Sequence, residues 1–177
     1  YQSGYLSAYL LTMRETPSKA AVVRILRDKA KQSDPTINRR EGFMDYMSEH
    51  FPECEIQNIF INPNDPESIA TTLEEFFATH PDFHHIVMFN SRVFLITTYL
   101  DSHPDPLRRV IGYDNLKQNL AALRTGNVSA LITQHADSQC FNAIQALTDL
   151  IVLKKTPAKK DNYMHMDILT RYNIDYY

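Results

Sequence analysis

The sequence predicts an α/β fold, a doubly wound parallel sheet with helices on both faces. Two observations carry that expectation. Strand-like runs alternate with amphipathic stretches of helical length almost without a break, the pattern of a parallel sheet covered on both sides. Three of the strand runs also lead into a polar residue at their C-terminal ends, Asn90, Asp114 and Gln134. In an open α/β sheet those ends share one edge, and ligands bind just beyond it.

The elements follow in order. Ser3 to Met13 reads as an amphipathic helix with Tyr5, Leu6, Tyr9, Leu10 and Met13 on one stripe, and Thr16-Pro17-Ser18 ends it. Ala20 to Leu26 is a β-branched, mostly apolar strand. Residues 27–37 read as a polar loop containing Pro35, followed by a helix from Arg39 to Phe51 with Phe43, Met47 and Phe51 inside. Cys54 to Ile61 is the next strand. Asn62 to Pro66 makes a turn in which Asp65 is placed to cap a helix running to Thr79 on Ile69, Leu73, Phe76 and Phe77. His85 to Phe89 is a strand, Val93 to Leu100 a helix stopped by Pro104 and Pro106, and Leu107 to Tyr113 a strand. Leu116 to Leu123 is a helix with Gly126 as its C-terminal cap, and Val128 to Thr133 is a strand. Asp137 to Leu153 is a long helix with Phe141, Ile144, Leu147 and Ile151 on its inner face. Lys154 to Asp161 is a basic linker, and Tyr163 to Leu169 alternates as a last strand.

The chain opens on a helix with no strand before it. That helix and the late one at 137–153 both carry stripes that need cover, and no obvious sheet receives both. The expectation is a part of a larger protein.

Composition narrows the function classes. An apolar content of 44% with 22% charged residues describes a globular chain that buries a core, not a disordered one. A net charge of −3 supplies no strong field toward nucleic acid or a membrane surface. No apolar run is long enough to span a bilayer, so no membrane partner is expected, and Tyr1 to Tyr5 lacks the features of a signal peptide. Cys54 and Cys140 are too few for a disulfide scaffold and read as two reduced, partly buried thiols, in keeping with a cytoplasmic setting.

Motifs for chemistry are mostly absent. Gly4, Gly42, Gly112 and Gly126 form neither a dinucleotide fingerprint nor a phosphate loop, and no nucleophile elbow is present. His84-His85 is the only close histidine pair, and adjacent strand residues point to opposite faces. Asp101, His103 and Asp105 resemble a ligand set, but the prolines among them mark an ordinary polar loop. No metal and no cofactor are expected. Lys154-Lys155 and Lys159-Lys160 read as a solvated linker.

The polar residues at element ends remain. Arg39 by itself is a surface charge, Asn90 an N-cap, Asp114 a cap and Gln134 a strand-end satisfier. Together they are better explained as one ligand edge. Arg39 would donate a fork of hydrogen bonds, Asp114 accept from adjacent hydroxyls, Gln134 do both, and Tyr113 offer a ring face.

At these residues the sequence resembles the effector-binding domain of the lac repressor family, and more broadly the ribose-binding type of periplasmic protein. The resemblance rests on Arg39-Arg40-Glu41-Gly42-Phe43, Phe89-Asn90-Ser91, Val110-Ile111-Gly112-Tyr113-Asp114 and Ile132-Thr133-Gln134 before a long helix. It runs from Gly4 to Asn173, with Ser91 standing where the family has Asp. It implies a type I periplasmic-binding-protein-like domain of two lobes that hold a sugar between them. By that resemblance, residues 19–134 and 158–177 form the second lobe, and residues 1–18 and 135–157 are remnants of the first. The helix-turn-helix that reads operator DNA lies before them, outside this chain. A homodimer is implied as well. A sugar-responsive transcription regulator, cytoplasmic, is the first reading. A periplasmic sugar-binding protein of a transporter or membrane receptor is the second. A doubly wound enzyme ranks below both, because no nucleophile, metal set or nucleotide loop appears.

Overall fold

A computed structural model describes residues 1–26, 34–157, 159 and 162–177. Helix α1 (Gln2–Thr12) leads into β1 (Lys19–Ile25), α2 (Asp34–His50), β2 (Glu55–Ile61), α3 (Pro66–Thr79) and β3 (His85–Met88). A 3-10 turn (Val93–Ile96) runs into α4 (Thr97–Ser102), then β4 (Arg109–Tyr113), α5 (Lys117–Thr125), β5 (Ala130–Thr133) and α6 (Ala136–Ile151). The chain closes on β6 (Asp167–Leu169) and a second 3-10 turn (Ile174–Tyr176).

The strands form one sheet in the order β2-β1-β3-β4-β5-β6. All pairings from β2 to β5 are parallel, and only β6 runs antiparallel, against β5. The chain winds outward from β1 to β2 and then crosses to β3 on the other side of β1. That reversal opens a crevice beyond the carboxyl ends of β1 and β3, the usual ligand position in such sheets.

Strand parity sorts the core into two layers. Ala20, Val22, Val87, Ile111 and Ile132 face one layer with Leu11 of α1 and Phe43 and Met47 of α2. Ala21, Val23, Ile86, Val110 and Leu131 face the other, with Leu73 of α3, Leu100 of α4 and Leu123 of α5. Burying one large aliphatic or aromatic side chain stabilises by about 1.5–3 kcal/mol, so both layers contribute heavily.

Local signals explain the helix ends. Asp65 caps α3 as expected, its Oδ1 accepting from Ser68 N at 3.0 Å with Pro66 next in the chain. Gly126 ends α5 in the left-handed region (φ 89°). Helix α2 starts at Asp34, earlier than the expected loop allows, because a proline such as Pro35 is at home in the first turn of a helix. The rest of that loop, residues 27–33, lies outside the described residues.

Three expectations are corrected. First, α1 does not bury the expected stripe; it packs through another face on α2 and on the β3–β5 side of the sheet. Its buried face is Ser3, Gly4, Ser7, Ala8, Leu10, Leu11 and Thr12, while Tyr9 and Met13 of the expected stripe are exposed. Small residues win that face because the two helices almost touch. A Cβ on Gly4 would lie 1.7 Å from the Arg39 carbonyl oxygen, and one on Gly42 would lie 2.3 Å from that of Tyr1. Second, the last strand is only Asp167–Leu169, matching the short β5 it pairs with, and Tyr163 is exposed. Third, Cys140 is exposed, although Cys54 is half-buried; both are free, and burial pushes the Cys54 thiol up to about 11.

Helix α6 has no buried residue. Phe141, Ile144, Leu147 and Ile151 are 67%, 65%, 56% and 61% exposed, so the expected inner face lies open.

Candidate functional site

The site is built at the C-terminal sheet edge around Arg39. Helix α2 buries this arginine to 9% exposure. Its Nη1 donates to the Phe89 carbonyl at 2.7 Å, just beyond β3. Its guanidinium carbon stands 4.1 Å from the centre of the Tyr113 ring, at the end of β4. The phenol of Tyr113 donates to the Ser3 carbonyl of α1 at 2.8 Å and is pushed up to about 12 by burial. Tyr113 is thus fully buried. The expectation that it offers a ring face to a ligand is corrected: the ring supports Arg39, because β4 parity turns Tyr113 toward the α1–α2 layer.

Asp114 follows at φ 65°, a backbone region uncommon for residues other than glycine. Its N–H donates to the Ile132 carbonyl at 3.0 Å, tying the ends of β4 and β5 together. Burial raises the Asp114 carboxyl above its ordinary range, and the Arg39 charge draws it partly back. Asn90, half-buried, accepts from Arg92 N at 2.9 Å through Oδ1, a local turn rather than the cap weighed above, since Arg92 is the N-cap of the 3-10 turn that follows.

Asn119 was missed in the sequence. It is fully buried in the first turn of α5. Its Nδ2 donates to the carbonyls of Ser91, Tyr113 and Asp114 at 2.8, 3.0 and 3.1 Å. Its Oδ1 accepts from Phe94 N at 3.1 Å. One side chain therefore joins the loops after β3 and β4. The available signal was weak, an asparagine inside a helix where its backbone-bonding habit is disfavoured.

Beside this cluster lies a cavity of about 950 Å³. Tyr1, Gln2 and Ser3 enter it from α1, Asn38 from α2 and Gln134 from the end of β5. Gln139, Asn142, Ala143 and Ala146 line it from α6, and Asn162, Tyr163, Met164 and Met166 from the C-terminal segment. Gln139 Nε2 donates to the Gln134 carbonyl at 2.7 Å, and Asn142 Nδ2 to the Met164 sulfur at 3.5 Å. Gln139, Asn142, Ala143 and Ala146 follow the three-and-four spacing of one helix face, a legible signal that the apolar stripe overshadowed. Between β5 and α6, His135 sits at φ 51°, and its Nε2 lies 2.5 Å from Asp167 Oδ2.

Of the five expected site residues, Arg39, Tyr113 and Asp114 form one cluster, with Asn90 next to the Phe89 carbonyl that Arg39 binds. Gln134 alone of the five lines the cavity. The paper ligand set falls apart: His84 pairs with Asp105 at 2.7 Å and His103 with Glu74 at 3.1 Å. Among the described residues no group of three or more His, Cys, Asp or Glu side chains is placed to hold a metal, and no helix is long and apolar enough to cross a membrane.

A family model described as a periplasmic binding protein domain matches residues 1–155. Among solved structures, a protein from Bacteroides fragilis provisionally described as a LacI transcriptional regulator is 36% identical, with a TM-score of 0.92 over 99% of this chain and 61% of that one. An ABC transporter periplasmic solute binding protein from Actinobacillus succinogenes with bound D-allose is 17% identical, with a TM-score of 0.80 over 98% and 60%. An ABC transporter solute binding protein from Burkholderia graminis in complex with D-arabinose is 15% identical, with a TM-score of 0.82 over 99% and 61%. The latter two share the fold. The chain spans about 60% of the length of these structures. A comparison with curated proteins found no match.

Proposed function

The chain belongs to the periplasmic binding protein domain family, and from that membership we propose that it is the sugar-sensing part of a LacI-type transcription regulator. A small carbohydrate effector then modulates DNA binding by the whole protein. The observation that carries this reading is the 36% identity along 99% of the chain with the Bacteroides fragilis protein described as such a regulator. Carbohydrate as the ligand class draws support from the D-allose and D-arabinose held by two relatives of the same fold.

In this reading residues 1–134 and β6 make one lobe, α1 included because it packs on the sheet. Residues 135–157 belong to a second lobe, completed by the length that the relatives have beyond this chain. Its uncovered helix α6 fits that assignment. The sugar sits between the lobes. Arg39, anchored by one N–H on Phe89, donates others to hydroxyls; Asp114 accepts from hydroxyls; Asn90 and Gln134 complete the edge. Each hydrogen bond to a charged group contributes about 1.5–3 kcal/mol. Tyr113 positions Arg39 from beneath. The chemistry is binding, not turnover, and asks for no cofactor. As a regulator the protein works as a homodimer on a two-fold operator, in the cytoplasm.

The transport relatives favour a second reading, a periplasmic sugar-binding protein of a transporter or receptor. Fluorescence anisotropy of the full-length protein on labelled DNA, with and without sugar, separates the two. A sugar-dependent change in DNA affinity is expected; sugar binding with no DNA affinity hands the role to the second reading. Calorimetry tests the site, and an Asp114→Ala variant with unchanged sugar affinity would remove Asp114 from it.

A further inference from the structure

We infer that His135 and Asp167 clasp the two chain crossings at the base of α6, and that this clasp sets how α6 stands over the ligand edge. The inference deepens the proposed function and rests on its two-lobe reading. Both are positioning residues, which act on a ligand only through α6.

The chain leaves the sheet after β5 and enters α6 through His135; it returns at Asp167, the first residue of β6. Antiparallel pairing places Asp167 opposite Thr133, so the two crossings lie side by side. His135 Nε2 stands 2.5 Å from Asp167 Oδ2. A neutral or a charged imidazole can donate that bond.

Three observations take the pair beyond an ordinary surface contact. His135 is held at φ 51° and ψ 63°, a left-handed backbone uncommon for residues other than glycine. Such outliers cluster where a fold holds or turns a functional segment, and hinge motion is absorbed at a few element-terminal residues. Second, the His135 side chain makes no capping bond to its own helix and reaches across to the returning strand instead. Tyr177 buttresses it: the two ring centres are 5.6 Å apart, and the Tyr177 hydroxyl lies 3.0 Å from Thr133 Oγ1. Third, α6 has no buried residue, so its direction is fixed at its base rather than by a core. Gln139, one turn into α6, donates to the Gln134 carbonyl at 2.7 Å, so a change of pitch at His135 carries directly into the cavity wall. The paired side chains are 34% and 39% exposed, and pairs as open as this contribute little to stability. Breaking the clasp therefore acts on geometry more than on folding.

The test reads geometry without a ligand. Spin labels are placed at Gln145→Cys on α6 and Glu67→Cys in the first turn of α3, both exposed, in full-length protein with its native cysteines replaced. Double electron–electron resonance gives the distance distribution between them. The parent is expected to show one narrow population. His135→Gly, which keeps the left-handed backbone accessible while removing the imidazole, and Asp167→Ala are each expected to broaden or displace it. The double variant is expected to match the more affected single variant, because both remove the same contact. Calorimetry with neutral pentoses and hexoses reads the consequence. Each single variant is expected to bind about twofold to thirtyfold more weakly, the range for positions coupled to a site from a distance, with a melting temperature close to the parent's. Single variants with the parent's distance distribution overturn the clasp, whether or not a sugar binds. Additive effects in the double variant overturn the pairing. Unchanged affinity beside a changed distance overturns the positioning role. A parent that binds no sugar removes the carbohydrate reading, while the distance measurement still decides the clasp.

Discussion

Replacing Asn119 is expected to cost more than any surface change and to do so through the loops that carry the site. The side chain is fully buried and makes four hydrogen bonds, to three carbonyls and one N–H. Asn119→Ala leaves all four groups without that partner. Each intramolecular hydrogen bond is worth about 0.5–1.5 kcal/mol net, and a buried group left unsatisfied costs about 1–3 kcal/mol. Carbonyl oxygens tolerate the loss better than an N–H, and a water can enter the vacated space. A loss of about 3 kcal/mol follows, a large part of the ~5–15 kcal/mol that holds a domain folded. Asn119→Asp sharpens the test. It keeps the shape and the acceptor for Phe94, but points a carboxylate at three carbonyl oxygens. Those oxygens and burial raise its folded pKa above the unfolded value. Its destabilisation is then greatest at neutral pH and shrinks as pH falls toward the carboxyl range. Urea titrations at pH 7 and pH 5, read for midpoint and slope, measure both effects. An Asn119→Ala variant within about 0.5 kcal/mol of the parent, the range of an ordinary surface change, would refute the claim that this clamp bears on stability.

Other outcomes follow from the same geometry. Gly4→Ala drives a Cβ to 1.7 Å from the Arg39 carbonyl oxygen, so α1 must shift; a loss of roughly 1–3 kcal/mol is expected, and an unchanged melting temperature would contradict the close approach. Asp114→Asn removes a carboxyl whose folded pKa lies above its usual 3.8, mainly through burial. Stability from such a group is present below the unfolded pKa and lost as pH rises through the folded one, so the variant is expected to be more stable than the parent at pH 7 and to converge with it near pH 4 and below, while binding sugar more weakly. The 177-residue chain alone is expected to bind sugar weakly and to self-associate through Phe141, Ile144 and Leu147, which are all more than half exposed; sedimentation equilibrium of the parent and a Phe141→Glu/Leu147→Glu variant checks this, and a monomeric parent with micromolar sugar affinity would refute it.

What was legible in the sequence divides along physical lines. The five parallel strands were readable because runs such as Ala20 to Ile25 and His85 to Met88 have no alternative burial as helices of useful length. Asp65 was readable as a cap because the capping bond spans three residues. Sequence alone marks Arg39 and Asp114 as polar residues near element ends, and the fold brings them near enough for the arginine charge to act on the carboxyl. The face of α1 was misread because hydrophobic periodicity weighs large side chains, whereas a helix pressed against another selects Gly4, Ser7 and Ala8. Tyr113 was misread in direction: a strand shows that its residues alternate, but not which layer covers which parity until α1 is placed. Asn119 left only a weak signal because its partners Ser91 and Phe94 lie 28 and 25 residues away and only the sheet order brings them near.

These particulars converge on how a weakly charged lobe keeps a ligand-ready edge. Asp114 is held in a left-handed backbone region and partly buried, and Arg39 is nearly sealed from water. Neither arrangement favours folding by itself. Each is offset by neighbours with no part in the proposed ligand contacts: Asn119 and the Ile132 carbonyl fix the Asp114 backbone, and the Phe89 carbonyl and Tyr113 ring fix the arginine. Tyr113 is in turn fixed by Ser3, the residue before the glycine that lets α1 reach α2. On the proposed function, the two charged groups are set before a sugar arrives, which spares the ordering cost at binding. The amides at the cavity carry no such burial cost, and most of them are exposed. Preorganisation is therefore carried by residues that the proposed contacts do not include, and substitution of Asn119 should lower stability and affinity together, whereas Asn38→Ala, at an exposed amide lining the cavity, should leave the melting temperature unchanged.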